Sequence, residues 1–213
     1  MTANKDEWFL NDRWDEAEKA VFYLKLKRAR YKKAFIIRAK ASNLLFSGDS
    51  GKVRDALELF KMGIEECPDS DLLSSFYLQS ALAHILLSNR PEALEMFRKT
   101  IEVESDATKF VRITNAWSQF ALYVVRENAQ DHFNEILSVI DNSKTFLVKE
   151  LFLKHALKAI IFKNQEKEEN ATSEKTLALE YLSHEDSGLE NRPRLGLVDK
   201  QELADIIEKL NAV

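Results

Sequence analysis

The chain has 213 residues and a formal net charge of -4 at pH 7, and its 45% of hydrophobic residues exclude a chain that is disordered throughout, because that content suffices for a core. Only five glycines and three prolines occur, so the residues that tight turns and β-hairpins need are scarce. We therefore expect one all-helical domain over residues 1–213, with short connections between its helices.

The first segment is predicted to form one long helix or two abutting helices. No proline or glycine occurs from Asp6 to about Ser47, and apolar residues recur there at helical spacing. We expect a break near residues 30–33, which makes residues 1–31 an N-terminal helix. A glycine-containing turn follows at residues 48–51.

Prolines and capping residues divide the middle of the chain into further helices. Pro68 ends one helix because proline cannot continue the helical hydrogen bonding, and Pro91 stands in the first turn of another. Ser70 or Asp71 is a candidate cap between them. The predicted helices cover residues 53–64, 71–87, 91–101, 110–125 and 129–140.

Beyond residue 140, apolar and polar segments alternate. Residues 145–162 are strongly apolar and predict a helix. Residues 163–175 are polar and highly charged, which predicts an exposed extension or loop before helix resumes over residues 176–182.

A link and a final helix are predicted at the C-terminal end. Residues 184–198 contain a glycine and a proline among mixed charges, so we expect an irregular link. Asp199 with Glu202 then resembles a capping box, and apolar residues follow at helical spacing. Residues 199–211 are therefore predicted to form a capping helix, which a stack of repeats needs at its end.

Three of the predicted helices share a sequence pattern, an alanine followed four residues later by a phenylalanine. The aligned pairs are Ala56 with Phe60, Ala93 with Phe97 and, more weakly, Ala129 with Phe133. They recur roughly every 36 residues, a period typical of stacked supersecondary units. A small residue lets two helices approach closely, and the aromatic ring fills the adjacent groove.

This pattern resembles the tetratricopeptide family, whose units each contain two antiparallel helices. The aromatic and small residues that carry the resemblance are spaced along the chain as in the family's units. They are Tyr77, Ala81, Ala93 and Phe97. Pro68 also follows Phe60 at the family's spacing. The resemblance covers residues 32–141. It implies an α-α superhelix, a tetratricopeptide-like solenoid of antiparallel helix pairs over residues 32–183 that ends in the capping helix.

The resemblance also implies a function and a site. First helices of successive units line a concave surface in this family, so we expect a non-enzymatic adaptor or chaperone-like regulator that binds another protein or a peptide there. The implied contact residues are Arg38, Ser42, Leu45, Ser75, Leu78, Gln79, Leu82 and Leu86. Arg38 is suited to hold a carboxylate, which favours an acidic or C-terminal peptide.

A basic segment supports an alternative partner. Eight cations and no acid lie between Val21 and Gly48, and such a block attracts nucleic acid or another anionic partner. The candidate residues are Lys25, Arg28, Lys32 and Lys33, with Tyr23, Tyr31 and Phe35 as stacking groups. The acidic balance elsewhere makes nucleic acid the less favoured partner, and a solvated or internally paired helix stays an open interpretation.

No pattern predicts catalysis. The sequence contains neither a glycine-rich phosphate loop nor a histidine or cysteine spacing typical of zinc sites. We therefore expect no catalytic residue, metal or cofactor. His84 is interpreted as a hydrogen-bonded core histidine. Trp8 and Trp14 are either partner contacts or packing residues.

The single cysteine, Cys67, cannot form an internal disulfide, and the N-terminal residues lack the order of a signal peptide. No uninterrupted apolar stretch is long enough to span a bilayer. We expect a cytoplasmic protein without a membrane partner. Self-association into a homodimer through the end helices stays open.

Overall fold

A computed structural model of the chain describes residues 8–11, 13–29, 31–187 and 190–213. Over these residues the protein is all-helical, with 67% helix and no β-strand, which confirms the predicted all-α class. No helix in this part of the chain combines the length and apolar content that crossing a bilayer requires. The α-helices are Glu16–Leu26 (α1), Lys33–Leu45 (α2), Ser50–Glu66 (α3), Leu73–Leu86 (α4), Arg90–Ser105 (α5), Ala116–Arg126 (α6), Phe133–Asn142 (α7), Val148–Asn164 (α8), Glu168–Leu182 (α9) and Ala204–Asn211 (α10).

The chain divides into two compact units, Met1–Ala116 and Trp117–Val213. The single domain expected from the sequence stays a prediction. In the first unit, α2 packs against α3, α3 against α4, and α4 against α5. In the second unit, α8 packs against α7, α9 and α10. Consecutive helices that are joined by a short turn and packed on each other are helical hairpins, so α2–α3, α4–α5 and α8–α9 each form one.

The N-terminal helix is shorter than predicted. It starts directly after Asp15, whose carboxylate accepts a hydrogen bond of 2.8 Å from the backbone N–H of Glu18 and so caps the helix. The described residues before Asp15, which are 8–11 and 13–14, form no helix, and the ring of Trp8 packs 5.5 Å from that of Phe22 on α1. Residues 1–7 of the predicted helix lie outside the described residues. The predicted break falls between α1 and α2.

The repeated alanine and phenylalanine residues lie in the cores of the two units. Ala56, Phe60, Ala93 and Phe97 are each 0% exposed. Ala129 and Phe133 are 4% and 2% exposed, but Ala129 precedes a 3₁₀ turn, Gln130–His132, rather than lying inside α7. The third occurrence of the pattern therefore has a different local backbone from the first two.

Several helix ends share one backbone feature. A residue in the left-handed region follows α2, α4, α6 and α8, namely Gly48 (φ 78°), Ser88 (59°), Asn128 (48°) and Glu166 (58°). These residues recur roughly every 40 positions. A left-handed residue after a helix satisfies its last carbonyl groups and turns the chain back, which directs each hairpin into its second helix.

The predicted helix over residues 110–125 begins only at Ala116. The preceding segment is bonded to Asp71, two residues before α4. The backbone N–H of Arg112 donates to the Asp71 carbonyl at 2.8 Å, and its Nε donates to the Asp71 carboxylate at 2.7 Å. These bonds hold the segment outside a helix, and local apolar spacing does not reveal them.

Most of the predicted loop over residues 163–175 is helical, because α9 begins at Glu168. Ala171 and Ala178 are each 0% exposed and form the buried side of this helix. Its charged residues lie on the exposed face of an amphipathic helix, which the charge density alone did not distinguish from a loop.

Among the described residues, the link over 184–198 contains no helix. The final helix starts later than predicted, at Ala204. Asp199 caps a preceding turn instead, since its carboxylate accepts from the backbone N–H groups of Gln201 at 2.9 Å and Glu202 at 3.1 Å.

Candidate functional site

The first helices of two successive hairpins meet at a side-chain hydrogen bond. The hydroxyl of Ser42 on α2 donates to Oε1 of Gln79 on α4 at 2.8 Å. The carbonyl oxygen of Arg38, one turn earlier on α2, lies 2.8 Å from the same hydroxyl. All three residues are half-buried. The structure therefore brings together three of the residues that the resemblance implied for ligand contact.

The guanidinium group of Arg38 has no partner among the described residues. Its Nε atom is shielded from solvent and has no hydrogen-bond acceptor, and the side chain forms no ion pair with any of the described residues. A buried donor without an acceptor costs about 1–3 kcal/mol. A planar guanidinium matches a carboxylate in charge and geometry, so the accessible part of this half-buried side chain suits such a partner.

Apolar residues extend this surface along α4. Leu82 is half-buried and Leu86 is 59% exposed. We define the α2–α4 face as the accessible residues of this region. They are Arg38, Ser42, Gln79, Leu82 and Leu86.

Three implied contact residues lie in the core instead. Leu45 is 1% exposed, Leu78 6% and Ser75 9%. The α4 helix is packed between α3 and α5 and also meets α2, so most of its circumference is covered. The resemblance identified the two helices but not which of their positions are accessible. These three buried residues are therefore not part of the α2–α4 face.

The four cations of the alternative site differ in environment. Lys33 forms an ion pair with Glu66. The Nζ of Lys25 lies 4.8 Å from the centre of the Trp8 ring, a cation–π contact. Arg28 and Lys32 are exposed. Of these four cations, Arg28 and Lys32 are therefore accessible, whereas Lys25 and Lys33 contact other residues of the chain.

Lys40 belongs to that basic segment but is 0% exposed. Its Nζ donates to the carbonyl oxygens of Asn11 at 2.7 Å and Arg13 at 2.8 Å, and to Oδ1 of Asn11 at 2.9 Å. The ring of Trp14 lies 4.9 Å from the same ammonium group. Lys40 thus attaches the N-terminal segment to α2 instead of adding to the surface charge.

The two tryptophans considered as partner contacts pack inside the first unit. Trp14 is 8% exposed and its ring lies 5.2 Å from that of Phe22. Trp8 is half-buried and lies 5.6 Å from Phe9. Trp14 is therefore a packing residue, because its buried ring leaves little surface for contact with a partner.

His84 is half-buried on α4 rather than a fully hydrogen-bonded core residue. Its Nδ1 is shielded from solvent and has no hydrogen-bond partner among the described residues. Burial lowers the pKa of His84, although Glu92 and Glu95 act in the opposite direction. Burial therefore favours the neutral imidazole, and the hydrogen bond expected of a core histidine is not found at Nδ1 among the described residues.

The second unit contains an ionic cluster that no sequence pattern indicated. Glu174 on α9 accepts from Nζ of Lys158 at 2.8 Å and lies 2.6 Å from Nδ1 of His155, both on α8. Lys158 also donates to Asp141 at 3.1 Å. Burial would raise the pKa of Glu174, but the bonds from His155 and Lys158 outweigh it and lower the pKa. Both carboxylate oxygens have partners, so the cluster joins helices.

The only local sequence signal for this cluster is the three-residue spacing of His155 and Lys158 on one helix face. That spacing is common, and the connection to Glu174 depends on how α9 packs. No residue pattern along the chain therefore identified it.

The described residues contain no group of three or more His, Cys, Asp or Glu side chains arranged to hold a metal ion. A surface cavity of about 370 Å³ lies between residues 68–71 and 108–111. Its Asp71 carboxylate is engaged by Arg112 at 2.7 Å, which makes that acid part of a structural ion pair.

No protein-family model, curated protein or solved structure matches this chain. The resemblance to the tetratricopeptide family therefore depends on the sequence pattern alone. The function is inferred from the α2–α4 face.

Proposed function

We propose that this chain is a non-enzymatic adaptor that binds an acidic segment of another protein, or an acidic peptide, on the α2–α4 face. The observation that carries the proposal is the half-buried guanidinium of Arg38, which has no partner among the described residues. A carboxylate of the ligand occupies that position. Because the site is partly shielded from water, the ion pair is stronger than one on an open surface.

Gln79 adds a donor to the same surface. Its Oε1 accepts from Ser42 at 2.8 Å, so the Nε2 amide is the end directed away from that bond. In the proposed complex, this amide donates to a backbone carbonyl of the ligand. The Ser42 hydroxyl thereby positions Gln79.

Leu82 and Leu86 provide the apolar part of the recognition. They follow Gln79 on α4 at helical spacing, so they extend the surface away from Arg38. A ligand with an acidic residue at one end and apolar residues after it fits this order. An extended segment or one face of a helix meets that requirement.

We also propose that the hairpins follow a tetratricopeptide-like order and that the protein acts in the cytoplasm. The repeated order is supported by the buried Ala56, Phe60, Ala93 and Phe97 and by the recurring left-handed turns. The cytoplasmic assignment is supported by the lone Cys67.

A peptide-display selection tests the function. A random library is selected in parallel on the wild-type chain, on Arg38→Glu and on Arg54→Glu, an exposed arginine of α3 that serves as the charge-matched control. We expect acidic peptides to be enriched on the wild type and on the control but not on Arg38→Glu. Recovery of the same peptides on all three chains would refute the proposed site.

Nucleic-acid binding at the α1–α2 corner is a second candidate. Tyr31 is 100% exposed between the exposed Arg28 and Lys32, and an exposed aromatic ring between cations suits base stacking. Retention of a single-stranded oligonucleotide is measured over a salt series for the wild type and Tyr31→Ala. Absence of binding at low salt would eliminate this candidate.

A further inference from the structure

The α1 helix carries two apolar faces, of which the described residues cover only one. Phe22 and Leu26 face the core and are 1% and 4% exposed. On the other side, Val21 is 41% exposed and Leu24 is 57% exposed. Ala17 and Ala20 are exposed beside them. These four outer residues follow the i, i+3, i+4, i+7 spacing of a helix–helix seam.

This spacing distinguishes the outer face from scattered surface hydrophobics. Single exposed apolar residues are normal, but the outer side of a terminal element is usually polar. A narrow seam flanked by charged residues fits another helix. The alanines give room for close approach, and Val21 and Leu24 supply the apolar area.

Charge is distributed unevenly along the same helix. Asp15, Glu16 and Glu18 stand at its N-terminal end, where Lys19 also lies and contacts Glu16 at 3.2 Å within the same chain. Lys25, Lys27 and Arg28 stand at and just beyond its C-terminal end. Such a helix repels a parallel copy of itself and attracts an antiparallel one.

The charge pairs centre one residue from the middle of the apolar seam. In an antiparallel pair with its two-fold axis between Val21 and Phe22, two acids of α1 lie opposite cations of the second copy. The opposed pairs are Glu16 with Lys27 and Glu18 with Lys25. Helical periodicity places Glu16 and Lys27 on one flank of the seam and Glu18 and Lys25 on the other. Antiparallel helices bring like flanks together, so both flanks are complementary.

We infer that α1 forms a two-fold, antiparallel interface with α1 of a second copy of this chain. Each copy contributes the same residues, as closed two-fold symmetry requires. The helix has 11 residues and is therefore roughly 17 Å long. One helix pair of this length buries less than the roughly 1,200 Å² of a standard interface, so the dimer is weak and reversible.

Sedimentation equilibrium of the full chain over micromolar to millimolar concentrations tests the inference. We expect a monomer–dimer equilibrium for the wild type and a monomer for Leu24→Asp. The matched control is Leu86→Asp on α4, because Leu86 is 59% exposed and Leu24 is 57% exposed. The control keeps the dimer. It also separates this interface from the α2–α4 face, since Leu86→Asp alters only ligand binding.

A charge exchange tests the antiparallel register. Glu16→Lys and Lys27→Glu each replace two attractions per dimer by two repulsions, and each should weaken self-association by roughly 10-fold. Mixing the two variants restores every opposed pair in a heterodimer. We therefore expect the equimolar mixture to associate more tightly than either variant alone. Thermal unfolding of each variant verifies that the fold is unchanged.

Three results would overturn the inference. The wild type could stay monomeric at every concentration, the dimer could persist in Leu24→Asp, or the mixed charge variants could fail to associate. A monomeric chain that binds phosphatidylserine vesicles through Leu24 would assign the outer face of α1 to a lipid surface, which also contradicts the inference.

Discussion

Gly63 on α3 lies directly against the ring of Phe76 on α4. A Cβ atom at Gly63 would lie 2.5 Å from two carbon atoms of that ring, closer than packed carbon atoms allow. Phe76 is 0% exposed, so the ring has no free space into which it can move. The absence of a side chain at Gly63 therefore sets the distance between the α2–α3 and α4–α5 hairpins.

Gly63→Ala should destabilise the protein by about 1–3 kcal/mol, because the added methyl group overpacks the contact with Phe76. The higher helix propensity of alanine offsets only part of this loss. Urea unfolding monitored by circular dichroism measures the difference. The double variant Gly63→Ala, Phe76→Leu should recover stability, and a single variant as stable as the wild type would contradict this account.

Lys40→Met should detach the N-terminal segment from α2. The substitution removes the charged donor that the carbonyl oxygens of Asn11 and Arg13 share, at a cost of about 1–3 kcal/mol. Amide hydrogen exchange is expected to rise in residues 8–14 while α2 stays protected. Lys32→Met, at an exposed position, is the control. Equal protection of residues 8–14 in the wild type and Lys40→Met would show that the segment is held by other contacts.

Glu174 should make stability depend on pH in the acid range. Burial raises the pKa of Glu174, but the hydrogen bonds from His155 and Lys158 outweigh burial and hold this pKa below the ordinary value of 4.5. A carboxylate with a depressed folded-state pKa contributes stability above its unfolded pKa, and that contribution is lost as pH falls through the folded value.

Glu174→Gln removes this contribution, so we expect a loss of about 2 kcal/mol at pH 7. The difference from the wild type should shrink as pH falls below about 4.5, where the wild-type carboxyl becomes protonated in the unfolded chain and then in the folded one. Denaturant unfolding at a series of pH values measures this convergence. A pH-independent difference would mean that Glu174 acts through packing instead of charge.

The sequence predicted the helices best where local signals mark their ends. Pro68 and Pro91 lie at the boundaries of α3 and α5 because proline acts through its own backbone. The start of α6 was misplaced because Arg112 is held by Asp71, which is far away along the chain. A contact of this kind leaves no periodic signal near Arg112.

The candidate site was predicted only in part, again because contacts between residues far apart along the chain leave no local signal. The resemblance placed Ser42 and Gln79 on a common surface, and the structure joins them at 2.8 Å. It also included Leu45, which is 1% exposed, because helical spacing does not show which positions face a neighbouring helix. Lys40 was counted as a surface cation, since its buried position depends on the fold of the N-terminal segment.

The most direct test of the proposed adaptor observes the Arg38 Nε–H group by NMR while a selected acidic peptide is titrated into the full chain. We predict a downfield shift of this resonance on binding, because a shielded donor without an acceptor gains a carboxylate partner. The same peptide should bind Arg38→Gln at least about 10-fold more weakly. Binding of equal strength to Arg38→Gln, with an unshifted Arg38 resonance in the wild type, would contradict the proposal.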